Sequence, residues 1–323
     1  MAAYYVNDVV APLKTMLETD LAWSRTDFGF FTGGYSFLNV FFLMLIWGGL
    51  ILDRFGIRFT GKLATILMVG GTALEYYAMT GLAGADATLF GINEIFGYKT
   101  GVFVAFAGYS IFGVGAEVAG ITVSKIIAKW FKGKELATAM GVQVALARIG
   151  SQAGYAVAIP LARAFGISTP VLLGLVLLLG GMIAFFIFAV MDKKLDKQME
   201  AAAIAAGTED EEEKFSFKDV KNILVNPGFW LIALLCVLFY SCVFPFQKFA
   251  SELMIIKYGI NENVAGTFAG LPALGALILT PVFGGFIDKR GKSASIMLLG
   301  SAMLICVHFI YAIPDINYWL VAI

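Results

Sequence analysis

The sequence has few of the charged residues that cover the surface of a soluble domain. Only 14% of its 323 residues are charged, whereas 59% are apolar and the mean hydropathy is +0.84. A soluble domain of this size keeps about a quarter of its residues charged. We therefore expect most of the surface to contact lipid. The formal net charge of zero gives no reason to expect a nucleic-acid partner.

The residues that build metal centres and disulfides are also scarce. The single histidine, His308, and the cysteines Cys236, Cys242 and Cys306 lie in apolar runs without metal-ligand spacing. An enzyme would need a nucleophile beside a base, or a metal cluster. We therefore predict no metal site, no cofactor and no enzymatic activity. A signalling or scaffold role is disfavoured because no loop is long enough to fold a soluble module.

Eight apolar runs are long enough to cross a membrane as helices, which takes about 20 residues each. Alternating strands of a membrane barrel, about 10 residues long, would look different. Two shorter apolar pieces, 1–13 and 316–323, look like parts of a first and a tenth helix that are incomplete here. The eight complete runs cover residues 29–52, 58–83, 101–128, 136–160, 168–191, 227–250, 264–287 and 293–313.

When the incomplete piece 1–13 is counted as the first helix, most of the 23 lysines and arginines fall in the loops after the second, fourth, sixth and eighth predicted helices. Because positively charged loops stay in the cytoplasm, these loops define the cytoplasmic side. The longest of them contains the acidic run 209–213. We therefore predict an all-α membrane protein with an N-terminal helix bundle over residues 1–191, a cytoplasmic linker over 192–226, and an incomplete C-terminal bundle over 227–323.

A short pattern occurs twice, each time at the end of an apolar run. GLILDRFGIR occupies residues 49–58 and GGFIDKRGK occupies residues 284–292. Repeated halves are a common transporter design, with the solute site between them. The glycines allow helices to approach closely, and the aspartate can pair with a base or a helix N-terminus. We expect gating roles for Gly49, Asp53, Arg54, Gly56 and Arg58, and for Gly284, Asp288, Lys289 and Gly291 in the second copy.

Two opposite charges lie deep inside predicted membrane helices. Glu117 and Arg148 are each fifteen residues from the loop tip at Lys132–Gly133, which is about 22 Å of helical rise. A charge at the centre of a membrane helix costs about 2.5–3.5 kcal/mol on insertion scales. Two interpretations follow. Either the pair binds the two charged ends of a zwitterionic solute, or the two side chains only bind each other as a structural lock.

Several strings resemble one known family. The pattern around Asp53 resembles the loop signature of the major facilitator superfamily, and the pattern around Asp288 resembles its echo in the second half. The block 113–151, with WFKGKEL and ARIGS, is similar to the fourth and fifth helices of the lysosomal dipeptide transporters in that superfamily. The strings VFPF at 243–246 and DKRGK at 288–292 also resemble this family. The resemblance implies a major facilitator fold of two six-helix halves, truncated here in the first and tenth helices.

The same resemblance implies a transporter that moves dipeptides by alternating access. Glu117 would bind the ammonium group of the solute and Arg148 its carboxylate, and Asp8 resembles an acidic residue of the first helix in the family. Gln152 and Tyr155 share the helix face of Arg148, and Tyr240 and Phe244 lie one turn apart, where they could contact a peptide side chain. The alternative is a proton-coupled symporter, or an antiporter of organic anions or other small metabolites.

The expected partners are a small solute and the lipid bilayer. The lysosomal family member works with a glycosylated accessory subunit, but this sequence has compact loops and no Asn-x-Ser/Thr site. We therefore expect a bacterial inner membrane, with the lysosomal membrane as the alternative. Any accessory subunit stays unidentified at this stage.

Overall fold

The computed structural model describes residues 1–84, 87–131, 136–206, 224–290 and 293–313. Almost all of this length is helical. A two-stranded hairpin, β1 (Glu94–Ile95) and β2 (Tyr98–Lys99), and a short 3₁₀ helix (Ala11–Leu13) are the exceptions. The α-helices are α1 (Ala2–Val9), α2 (Lys14–Asp20), α3 (Arg25–Phe41), α4 (Met44–Thr80), α5 (Thr100–Trp130), α6 (Leu136–Phe165), α7 (Thr169–Ala206), α8 (Pro227–Tyr258), α9 (Glu262–Arg290) and α10 (Ser293–Ala312).

All eight predicted apolar runs form helix in the described residues. Within the described residues, five single helices are long and apolar enough to cross a membrane: α5, α7, α8, α9 and α10. The helices α3 and α4, bent by 58° at the break between them, make a sixth candidate. Helix α4 contains the end of the predicted run 29–52 and most of the run 58–83, with a kink between them at Gly56. Helix α6 is outside the set, and its sequence carries Gln143, Arg148, Gln152 and Arg163 among its apolar residues.

Helix α4 contains a sharp internal turn at Gly56. The backbone angles of this glycine are φ 75° and ψ 173°, so the helical hydrogen bonding is interrupted there. Glycine adopts this conformation without the steric penalty that a Cβ atom would bring. The turn belongs to the first copy of the repeated pattern and separates the segment 44–55 from the segment 57–80.

Close packing between α4 and α5 forms the centre of the N-terminal bundle. A Cβ atom built on Gly71 would lie 2.4 Å from the Phe112 backbone nitrogen, and one on Gly115 would lie 2.7 Å from the Ala64 carbonyl oxygen. Only residues without a side chain permit this approach, as in other membrane helix pairs. The largest buried cluster of the protein surrounds this contact, with Tyr109, Phe112, Phe28 and Phe31 almost fully buried.

The described chain forms an N-terminal part (residues 2–206) and a C-terminal part (residues 227–312). Helix α6 packs against α9, and α8 packs against the 3₁₀ helix that follows α1. Helix α7 continues through Ala206, so the beginning of the predicted linker 192–226 is helical. Residues 207–223 of that linker and the predicted tenth-helix segment 316–323 lie outside the described residues. The proposed domain boundaries therefore stay predictions.

Candidate functional site

A polar cluster joins the two parts at α1, α5 and α8. The Lys248 ammonium group donates to the Asn7 carbonyl oxygen at 2.6 Å and to the Tyr109 hydroxyl oxygen at 3.1 Å. Its nitrogen lies 3.8 Å from Asp8 Oδ1. The Tyr109 hydroxyl donates to the Asn7 carbonyl at 2.7 Å, and the Asn7 amide donates to Asp8 at 2.8 Å. Asp8 thus lies in a hydrogen-bonded cluster between the parts.

The sequence analysis missed Lys248. It lies inside α8, which extends to Tyr258. One signal was available, because Lys248 belongs to the predicted apolar run 227–250 and not to a loop. Its ammonium reaches across the interface to the first helix, which no local pattern in the sequence indicates.

Glu117 and Arg148 lie on neighbouring helices and do not bind each other. The Tyr35 hydroxyl of α3 donates to Glu117 Oε1 at 2.7 Å. The Nε atom of Arg148 is buried and has no hydrogen-bond partner among the described residues. No ion pair within 4.0 Å joins the two side chains, although both are described. This arrangement differs from the structural lock, in which the two charges would neutralise each other.

Gln152 and Tyr155 lie where α6 meets α9. Tyr155 is 3% exposed, and its hydroxyl donates to the Gln247 carbonyl oxygen of α8 at 3.0 Å. The Gln152 Oε1 atom is buried without a partner in the described chain. A Cβ atom on Gly270 would lie 2.3 Å from this oxygen. These two residues of the Arg148 helix face therefore contribute to the interface between the parts.

The same two helices separate toward the cytoplasm. A cleft of about 440 Å³ lies between α6 and α9, lined by Gly141 and Ala145 on one side and by Ala276, Leu277 and Thr280 on the other. Gly141 and Ala145 belong to the same helix face as Arg148 and precede it by two turns and one turn, respectively. Among the described residues, the interface is thus packed at Gln152 and Tyr155 and contains this cleft on the cytoplasmic side of Arg148.

Two groups of charged contacts hold the outer half together. Lys14, which is 1% exposed, lies 2.6 Å from Glu252 of α8 and 2.8 Å from Glu18. Its ammonium also lies 5.9 Å and 5.5 Å from the ring centroids of Phe28 and Phe249. Arg163 of α6 pairs with Glu262 and donates to Asn263 at 3.0 Å, both at the beginning of α9.

The predicted gating residues of the first repeat form contacts within the N-terminal part. Asp53 pairs with Lys125 at 2.9 Å, and Arg58 binds Asp192 at 3.1 Å and Asp196. Arg54 lies over the Phe55 ring at 5.5 Å, and a Cβ atom at Gly49 would meet open space. In the second repeat, Gly284, Asp288 and Lys289 belong to α9, and their side chains lie outside the described part, as does Gly291.

No contact among the described residues joins Tyr240 or Phe244 to Glu117 or Arg148. Their rings stack on each other with centroids 5.0 Å apart, and Tyr240 also touches Phe239 of the same helix. They are 49% and 50% exposed. Their role in substrate binding stays a prediction.

The comparisons with known proteins agree with this architecture. Residues 1–323 match the model of the Major Facilitator Superfamily. The proteins named lysosomal dipeptide transporter MFSD1 from Pongo abelii and Homo sapiens are each 27% identical over 332 residues, which cover 98% of this chain. The MFSD1 of Gallus gallus is 30% identical over 226 residues, which cover 66% of this chain and 49% of the relative.

The chain spans 65% of the length of the first two relatives. Their name fits the lysosomal alternative for localisation and gives no support to the expectation of a bacterial inner membrane. The predicted all-α membrane fold and the prediction that the chain is not an enzyme are confirmed by the family match. The chain, an integral multi-pass membrane protein, belongs to the major facilitator superfamily.

Proposed function

We propose that this protein transports dipeptides across a membrane by alternating access. The name of its relatives supports this substrate class. The arrangement of Glu117 and Arg148 supports it independently, because a dipeptide is a zwitterion and the two side chains carry the complementary charges. An extended dipeptide spans about 7 Å at about 3.5 Å per residue, a length that a directly paired Glu–Arg couple would not accommodate.

The absence of an ion pair between Glu117 and Arg148 carries the proposal. Glu117 keeps one carboxylate oxygen on Tyr35, so it is positioned before a solute arrives. The buried Nε of Arg148 has no acceptor in the described chain, and an unsatisfied buried donor costs about 1–3 kcal/mol. A solute carboxylate bound side-on to the guanidinium would satisfy this donor and add a second parallel bond.

The unequal closure of the interface supports the alternating-access part of the proposal. The outer half is closed by Lys14–Glu252 and Arg163–Glu262, and the cytoplasmic half contains the cleft between α6 and α9. Such a conformation gives a bound solute a route to the cytoplasm. Transport then requires a second conformation in which these contacts break and the cytoplasmic cleft closes.

The test is uptake of free and N-acetylated dipeptides by the full-length protein in proteoliposomes. We expect Glu117→Gln to reduce uptake of the free dipeptide and to spare the acetylated one, because acetylation removes the ammonium group that Glu117 would bind. Glu94→Gln, a change of an exposed carboxylate in the β-hairpin, serves as the matched control. Equal losses for both dipeptides would contradict the assignment. A gain in organic-anion uptake by Glu117→Gln would favour the anion-transporter alternative.

A further inference from the structure

Glu75 of α4 is a charged residue type in a fully enclosed position. Its exposure is 0%, and neither carboxylate oxygen has a hydrogen-bond partner among the described residues. Thr72, one turn earlier on the same helix, is also fully buried, and its hydroxyl has no partner there either. The proposed dipeptide site uses neither residue.

The surroundings of Glu75 leave little room for a donor to approach. A Cβ atom on Gly108 of α5 would lie 2.9 Å from the Glu75 backbone nitrogen and 2.7 Å from the Gly71 carbonyl oxygen. The two helix backbones are therefore in direct contact at this level. Enclosing an ionised carboxylate without donors is very unfavourable, whereas the neutral acid is tolerated.

Two titratable groups lie within electrostatic range of Glu75. One is the Tyr109 hydroxyl of α5, and the other is the Lys248 ammonium of α8. Both are already engaged, because Tyr109 donates to Asn7, and Lys248 donates to Asn7 and Tyr109 and lies near Asp8 of α1.

The other two helices that pack on α4 bring no free charge to this position. The buried carboxylate of α7, Asp192, binds Arg58 and Lys129 at the cytoplasmic end. Tyr35 of α3 donates to Glu117. Within the described chain, Lys248 is thus the candidate counter-ion for Glu75, but its hydrogen bonds are made to Asn7 and Tyr109.

We propose that Glu75 is a proton-binding site, occupied while the outer side is closed and emptied when the outer side opens. The proton comes from water on the outer side, binds one carboxylate oxygen, and returns to water when the interface beside Tyr109 opens. Tyr109 follows Gly108, which packs against the Glu75 backbone, and its hydroxyl donates to Asn7 and accepts from Lys248 of the C-terminal part. Separation of the parts therefore admits water next to Tyr109.

The proposal goes beyond solute binding, and it rests on the outer-closed and outer-open conformations of the proposed function. A proton that binds one conformation more tightly shifts the population toward that conformation. Acidification should therefore favour the outer-closed conformation, whichever solute the protein carries. Proton binding at Glu75 would also make transport dependent on pH.

The first test is infrared spectroscopy of the full-length protein in lipid nanodiscs, without solute. We expect a carbonyl band of a protonated carboxylic acid at neutral pH, which is lost in Glu75→Gln and kept in Glu94→Gln. If the spectra of wild type and Glu75→Gln are identical in this region, the proposal is overturned. Because no solute is present, this result is independent of whether dipeptides are the substrate.

The second test keeps the proposal falsifiable if Glu75→Gln does not fold. Spin labels at Asp20→Cys and Val264→Cys, two exposed outer positions, report the separation of the parts in a background without Cys236, Cys242 and Cys306. We expect acidification to increase the short-distance population in the protein that keeps Glu75. Where Glu75→Gln folds, it should lose this pH dependence. A distance distribution that does not change with pH would overturn the proposal.

Discussion

The ion pairs at the two ends of the interface differ in whether they connect the N-terminal part to the C-terminal part. On the outer side, charged contacts join the N-terminal part to the C-terminal part, as Lys14–Glu252 and Arg163–Glu262 do. On the cytoplasmic side, the ion pairs of the described residues stay within the N-terminal part. They are Asp53–Lys125, Arg58–Asp192, Arg58–Asp196, Lys129–Asp192 and Lys129–Asp196.

This difference separates contacts that set the conformation from contacts that hold a bundle together. Breaking an outer contact changes the balance between closed and open outer sides, because only one conformation contains it. Breaking a cytoplasmic contact within the N-terminal part changes the stability of that bundle and leaves the balance nearly unchanged. The predictions below test this distinction.

The largest expected effect comes from Lys14→Met. It removes the buried cationic partner of Glu252 and leaves the exposed Arg25, 3.6 Å away. Breaking a buried pair by removing one partner costs about 3–5 kcal/mol, and the remaining contact with Arg25 makes this figure an upper limit. We expect the outer-closed population to fall strongly, measured as the distance between spin labels at positions 20 and 264. The double exchange Lys14→Glu with Glu252→Lys should recover part of it. An unchanged distance in Lys14→Met would show that the contact does not hold the outer side closed.

A smaller effect is expected for Arg148→Lys on solute affinity. The lysine keeps the charge but loses the planar fork that binds a carboxylate through two parallel bonds. A hydrogen bond to a charged group contributes about 1.5–3 kcal/mol, so dipeptide affinity should fall by at least about tenfold in equilibrium binding. The dipeptide methyl ester is the control, since it lacks the carboxylate. Equal losses for the dipeptide and its ester would remove Arg148 from carboxylate binding.

Arg163→Gln should have a weaker effect than Lys14→Met on the same outer distance. Both partners of the Arg163–Glu262 pair are about 40% exposed, with values of 43% and 39%. Exposed ion pairs contribute about 0–1 kcal/mol and are screened by salt. We expect a modest loss of the closed population, which high salt should reproduce in the wild type. A loss as large as that of Lys14→Met would mean that burial does not set the order of the two contacts.

The smallest effect is expected for Lys125→Gln, which removes the pair with Asp53. Both side chains are about half exposed, at 45% and 47%, and both belong to the N-terminal part. The outer distance should stay the same, and the melting temperature should change little. A clear shift of the outer distance would place this pair among the contacts that set the conformation, as the gating interpretation of Asp53 requires.

The sequence predicted the helices well, because long apolar runs are a local feature. The turn at Gly56 was not predicted, since the repeated pattern indicated only that its glycines allow close helix approach. The equal depth of Glu117 and Arg148 stays a prediction from the constant helical rise. The contact of Glu117 with Tyr35 was not predictable from it, because Tyr35 belongs to a third helix.

The contacts between the parts could not be predicted from local patterns. Lys14 binds a residue 238 positions away, and Lys248 binds one 241 positions away. Nothing in the neighbouring residues encodes such partners. In the same way, an aromatic pair such as Tyr240 and Phe244 shows one helix face but not what that face contacts.

The most direct test of alternating access measures two distances in the full-length protein as dipeptide is added. One label pair lies on the outer side, at positions 20 and 264, and one lies on the cytoplasmic side, at the exposed residues Leu136 and Val282. We predict that dipeptide creates a population with a longer outer and a shorter cytoplasmic distance, and that Arg148→Lys weakens this response. If both distances lengthen together, or neither responds to dipeptide, the alternating-access account is contradicted.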